Sequence, residues 1–138
     1  VALPELASVV DVTDALADIT IKAGSRPSME TVEAWTRDTR DEVVARLRGA
    51  GIDLATATLD EAAEGWLKTI VVRGTMVRVY VARKLWERAE DLRAQFYGDI
   101  ARIERDPGVI GLASDSAGPS GLKRGYRRNR VTMTSRLW

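Results

Sequence analysis

Apolar positions between Leu59 and Glu104 recur every three or four residues: Leu59, Ala63, Trp66, Ile70, Gly74, Val77, Val81, Leu85, Leu92, Phe96, Ile100 and Ile103. That spacing makes one face of helical structure. The opposite face carries mixed charge, including Glu64, Lys68, Arg73, Arg78, Lys84, Glu87, Arg88, Asp91 and Arg93. No Pro interrupts the stretch. Ordinary globular helices run 8–20 residues, so two arrangements are open. One is a single helix of about 45 residues, whose stripe a partner chain would have to cover. The other is two helices meeting near Ala82–Lys84, whose halves cover each other. The hairpin is preferred, although no Gly, Pro or Asn marks its turn.

Upstream, a modest stripe over Leu6–Asp18 predicts a short helix. Ser8, Asp11 or Thr13 could cap it. Ile19-Thr20-Ile21-Lys22 is a brief β-like run ending at Gly24, and Arg26-Pro27-Ser28 is a loop. Ser28 then begins a helix of about 21 residues, roughly 32 Å long at 1.5 Å per residue. Ser28 is a good N-cap, and Glu30 and Glu33 place negative charge in the first turns. Met29, Val32, Trp35, Thr39, Val43 and Leu47 line its inner face, and Gly49 or Gly51 should end it. Thr58, with Glu61 three residues on, predicts a capping box for a helix reaching about Val81. A last helix from about Leu85 to Arg105 stops at Pro107-Gly108.

From Pro107 the texture changes. Residues 107–121 have Gly/Ser/Pro linker composition. Beyond them Val131, Met133, Ser135 and Leu137 alternate with Thr132, Thr134 and Arg136, which is strand periodicity. A lone strand has no partner in a helical body, so it either stays disordered or adds to another protein. The expected fold is therefore all-α. A small antiparallel bundle of three main helices plus a short N-terminal helix occupies 1–106, with a linker over 107–121 and a basic extended C-terminal arm over 122–138.

Charge sharpens that division. The net charge of +1 is the balance of 15 Lys+Arg against 19 Asp+Glu in residues 1–106 and six basic residues against one acid in 107–138. A mildly acidic body carries a basic tail. The absence of Cys and His excludes disulfides, common zinc sites, a Cys nucleophile and an imidazole base. It also fits a reducing compartment. No apolar run approaches a membrane span, and Val-Ala-Leu-Pro-Glu-Leu lacks the basic start and apolar run of a signal peptide.

No phosphate loop, nucleophile elbow or paired metal ligands occur, so neither an enzymatic role nor a cofactor is expected. Asp38, Asp41 and Glu42 read as a solvated face balanced by Arg37 and Arg40, rather than as a cation site. Trp35, Trp66 and Trp86 fall at or beside helical core positions, where packing is the default. Gly65, Gly74 and Gly98 inside helices cost about 1 kcal/mol each relative to Ala. Either close packing within the subunit or the approach of a neighbouring subunit would explain them. In the arm, Lys123, Arg124, Arg127, Arg128, Arg130 and Arg136 surround Tyr126, and Trp138 ends the sequence. Three roles are open: nucleic-acid binding, with a salt slope of roughly −5 for six phosphate contacts; docking on an acidic protein surface, with Leu137 and Trp138 as anchors; or simple solubilisation.

Several phrases resemble a known family. Leu3-Pro4-Glu5-Leu6-Ala7-Ser8-Val9 precedes the short helix. Pro27-Ser28-Met29-Glu30-Thr31-Val32-Glu33-Ala34-Trp35 opens the first long helix, which ends in Arg48-Gly49-Ala50-Gly51. Ile70-Val71-Val72-Arg73-Gly74 lies in the second, and Ala89-Glu90-Asp91-Leu92-Arg93-Ala94-Gln95-Phe96-Tyr97 in the third. In pattern and order over residues 3–106, this resembles the head–tail connector, or adaptor, proteins of tailed bacteriophages and related gene-transfer particles. The chain departs in having little loop between its second and third long helices.

The resemblance implies a structural virion protein at the head–tail interface, assembled in the host cytoplasm. Copies would form a ring, usually of twelve subunits, beneath the portal. The ring would extend the channel that DNA passes through non-specifically and would present a surface to the next neck or tail protein. No membrane partner is implied. C-terminal extensions in the family commonly reach the portal. The corresponding residues here are Leu122, Lys123, Arg124, Tyr126, Arg127, Arg128, Arg130, Val131, Met133, Leu137 and Trp138.

Overall fold

The structure is a computed structural model that describes residues 5–110. Among these residues it is all-α: α1 (Val9–Ala15), α2 (Met29–Gly49), α3 (Glu61–Ala82), α4 (Trp86–Arg105) and a closing 3-10 turn (Pro107–Ile110). Among the described residues none forms a strand, and no helix is long and apolar enough to cross a membrane. The predicted strand and the arm at 122–138 lie outside the described residues.

Each helix starts where a side chain accepts an N–H that the helix itself cannot satisfy, except α4. Ser8 and Asp11 form a reciprocal capping box at α1. The Asp11 N–H donates to Ser8 Oγ at 3.4 Å, and the Ser8 N–H donates to Asp11 Oδ2 at 2.9 Å. Ser28 Oγ accepts from the Thr31 N–H at 3.2 Å, as predicted. The predicted Thr58 cap is corrected to Asp60, whose Oδ1 accepts from the Ala63 N–H at 2.7 Å. Both residue types cap well. The chain uses the later one because 53–57 first folds into turns on the Asp53 carbonyl.

Two helices end in the same hydrogen-bond pattern. After α2, Gly51 N–H donates to the Arg48 carbonyl and Ile52 N–H to the Leu47 carbonyl. After α3, Lys84 N–H donates to Val81 and Leu85 N–H to Tyr80. This is the Schellman motif, which requires one left-handed residue. Gly51 supplies it at φ 91° and Lys84 at φ 61°. The hairpin between α3 and α4 therefore exists without a sequence signal, because a lysine occupies the position usually given to glycine.

α3 is the central helix, antiparallel to both α2 and α4. It is buried on a broader arc than the predicted stripe, adding Leu67, Val71, Val79 and Tyr80. One core cluster includes Leu47, Leu54, Leu67, Ile70, Phe96, Ile100 and Ile103. The other includes Val12, Leu16, Ile19, Ile21, Val32, Val77, Val79 and Ala89. Between them Gly74 lets the helices touch: a Cβ there would sit 2.5 Å from both Phe96 Cε1 and Thr39 Cγ2. Close packing within the subunit thus explains Gly74. It does not explain Gly65 or Gly98, where an added Cβ meets nothing within 4 Å. Thr36, Thr39 and Thr75 are buried, and each hydroxyl donates to its own helix's carbonyl four residues back.

Four further expectations need correction. α1 stops at Ala15, not Asp18, because the chain turns there to bury Leu16. Ile19–Lys22 is not a strand, although Ile19 and Ile21 are buried while Thr20 and Lys22 are exposed. It keeps the alternation but has no ladder, and the Lys22 carbonyl accepts from Ser25 and Met29 instead. Pro107–Ile110, assigned to the linker, turns back so that Val109 packs on the first core cluster. Trp86, placed at the core's edge, is 61 % exposed.

Candidate interaction surfaces

The acidic group on α2 carries no metal geometry. Arg40 binds Asp41 at 2.8 Å, while Arg78 on α3 lies 3.8 Å from both Asp38 and Glu42. Arg37 turns away to Glu33, so the cation that balances Asp38 and Glu42 comes from α3, not from α2 as expected. Among the described residues, no cluster of acids could hold a metal ion. Glu42 also accepts from the Tyr97 hydroxyl at 3.0 Å. Burial, then the Glu42 carboxylate, raises the Tyr97 phenol above its ordinary value.

Three ion pairs fasten α4 to the rest, one of them Arg46 on α2 with Glu104 at 3.2 Å. Arg73 on α3 donates to Asp99 at 2.7 Å, and Arg88 donates to Asp18 on the segment after α1. The Arg88 hydrogen bond holds Asp18 below the usual carboxylate range. Asp11 is lowered too, first by the backbone N–H of Ser8 and then by Lys68, 3.1 Å away. A cleft of about 130 Å³ lies beside Arg73 and Asp99, lined also by Trp66, Thr69 and Ile70. Trp66 Nε1 is buried with no hydrogen-bond partner, and Arg102 lies over the Trp66 ring at 5.7 Å. A buried indole N–H ordinarily finds an acceptor, so this is the place where the bundle's polar accounting stays open.

Two surfaces on opposite flanks of α4 stand out. Trp86, Glu90, Arg93 and Tyr97 follow the i, i+4, i+7, i+11 spacing of one face. Trp86 is 61 % and Tyr97 40 % exposed. Arg88, Leu92 and Asp99 point the other way, towards α1 and α3. There a groove of about 370 Å³ has a floor of Val72, Met76, Leu92 and Ala15 and a rim of Asp11, Asp14, Lys68 and Arg73.

The predicted partner-binding residues, Leu122 through Trp138, lie outside the described residues. The groove was missed in the sequence because its walls come from three helices distant along the chain. Trp86 was visible but misassigned: the 3.6 period places it beside the stripe without saying where the bundle ends. No family model, no curated protein sequence and no solved structure matches this chain.

Proposed function

We propose that the chain is a structural virion subunit, a head–tail adaptor. Copies would form a ring under the portal, of twelve subunits as is usual in the family it resembles, extending the DNA channel and meeting the next neck or tail protein. The observation that carries the reading is the contrast between body and arm. The described body fills two core clusters from its own helices and closing turn, whereas the sequence beyond it concentrates six cations and an apolar end. That apolar end is made of Val131, Met133, Leu137 and Trp138. A mildly acidic body also suits a channel through which DNA slides without adhering.

The test is removal of 122–138. The shortened chain should keep the helical content and cooperative unfolding of the body but fail to attach to portal-bearing heads. Normal attachment would overturn the reading. The same six cations support a second reading, in which the arm grips nucleic acid. A gel-shift titration separates the two: tight duplex binding with a log–log salt slope of roughly −5 favours nucleic acid, and no binding favours the adaptor.

A further inference from the structure

We infer that the two flanks of α4 are the two halves of one head-to-tail contact between copies of this chain. In that contact, Trp86 of one copy enters the groove floored by Val72, Met76 and Leu92 of the next. The proposal rests on the adaptor reading only for why copies would close into a ring; the surfaces themselves are observations of the body.

Four observations carry it. First, Trp86 is a large aromatic, 61 % exposed, with Leu85 beside it at 36 %. Aromatic anchors of this kind dominate protein contacts when they enter a pocket. Second, the groove is a concave surface of mainly apolar floor, of the size such an anchor needs. Third, charge is complementary. Arg83 and Lys84 precede the knob and are exposed, with no acidic partner within 4 Å among the described residues; of the two exposed acids beside Trp86, Glu90 is paired with Arg93, which leaves Glu87. On the groove rim Lys68 is taken by Asp11 and Arg73 by Asp99, which leaves Asp14 exposed as the free charge. The unpaired cations of the turn, Arg83 and Lys84, therefore meet the unpaired carboxylate of the rim, Asp14.

Fourth, the flanks are opposed. The Tyr97–Glu42 bond ties the Trp86 side of α4 to α2, and the Arg88–Asp18 and Asp99–Arg73 bonds tie the groove side to α1 and α3. A two-fold dimer joins a patch to itself, whereas two different patches on opposite sides join successive copies into a ring or filament.

The chain has no cysteine, so a disulfide trap is clean. W86C and M76C are purified separately at full length, mixed at high concentration and oxidised. A15C replaces M76C in a parallel mixture, because Ala15 also lines the groove and lies exposed on the surface. The expected result is a mixed W86C–M76C or W86C–A15C dimer, with little pairing of any variant with itself. In the same preparation without added cysteines, W86A should weaken self-association by at least about 10-fold in a sedimentation titration. Pairing of W86C only with itself would overturn the proposal in favour of a two-fold contact. Absence of any mixed pair in both mixtures would overturn it outright. Portal attachment by the parent chain alongside that absence would leave the adaptor reading standing and remove only this contact.

Discussion

The two ends of the α3–α4 hairpin are built from similar residues and treated differently. At the end away from the turn, Leu67, Ile70, Ile100 and Ile103 are fully buried, covered by the 52–59 connection and by Val109 of the closing turn. At the turn, Val81 is half-buried, Leu85 is 36 % exposed and Trp86 61 %. Both ends are apolar, but one has been given a cover. Apolarity in the sequence therefore identifies a surface that is to be covered, and it leaves open whether the same chain provides the cover.

The comparison breaks most sharply at Ile100. It is fully buried in the first cluster, and Ile100→Ala should lower unfolding free energy by about 3–4 kcal/mol through lost transfer energy and a residual cavity. Chemical denaturation reads this directly. Gly74→Ala comes next, at about 2–3 kcal/mol, by overpacking. Its added methyl would meet Phe96 and Thr39 at 2.5 Å, across the seam between the two clusters. Gly98→Ala, where nothing stands within 4 Å, should instead stabilise the monomer by roughly the helix propensity difference of about 1 kcal/mol. The pair tests whether glycine in this bundle serves the interior at one position only.

At the α1 cap, Ser8→Ala should cost about 1 kcal/mol. Part of that contribution is linked to pH. The Asp11 carboxyl is held below its ordinary value of 3.8, mainly by the Ser8 N–H. Its stabilisation is therefore complete above that ordinary value and is lost as the pH falls through the lower folded-state pKa. Urea titrations of the parent and D11N should converge as the solution is acidified through this window, and divergence there would remove the cap's electrostatic role. Asp11 is partly exposed, so the effect stays small.

Much of this fold was legible along the chain, and the exceptions share a cause. Ser28 and Gly51 bracket α2 because a cap and a left-handed residue are local requirements met by local residue types. Thr58 and Asp60 satisfy the same local rule equally well, so the choice between them falls to the folding of Asp53 to Ala57. Ile19 and Ile21 alternate like a strand because an extended segment buries every second residue, with or without a neighbour to bond. The groove could not be read, since Ala15, Met76 and Leu92 are brought together only by the packing of three helices. The arm was legible as composition and charge alone.

The turn itself offers a gain. Lys84 holds φ 61°, a conformation that costs an L-residue about 1 kcal/mol or more. Lys84→Gly should recover about 0.5 kcal/mol after glycine's larger unfolded-state entropy is subtracted. The same change removes a charge from the cationic turn, so it should raise stability while weakening association between copies. A contact that ignored this turn would show the first effect without the second.

Trp86→Ala should have the smallest effect on the isolated body, within about 0.5 kcal/mol, as expected of an exposed residue away from caps and core. A tryptophan carries more apolar surface than any other residue kept so exposed here, and deleting it from a self-contained bundle removes little that folding buried. The two apolar ends of the hairpin then separate by function: Ile100→Ala lowers stability at every protein concentration, whereas Trp86→Ala changes behaviour only where copies can meet. If Trp86→Ala instead unfolded the monomer as severely as Ile100→Ala, the turn would be core in solution, and the distinction between a covered and an uncovered end would vanish.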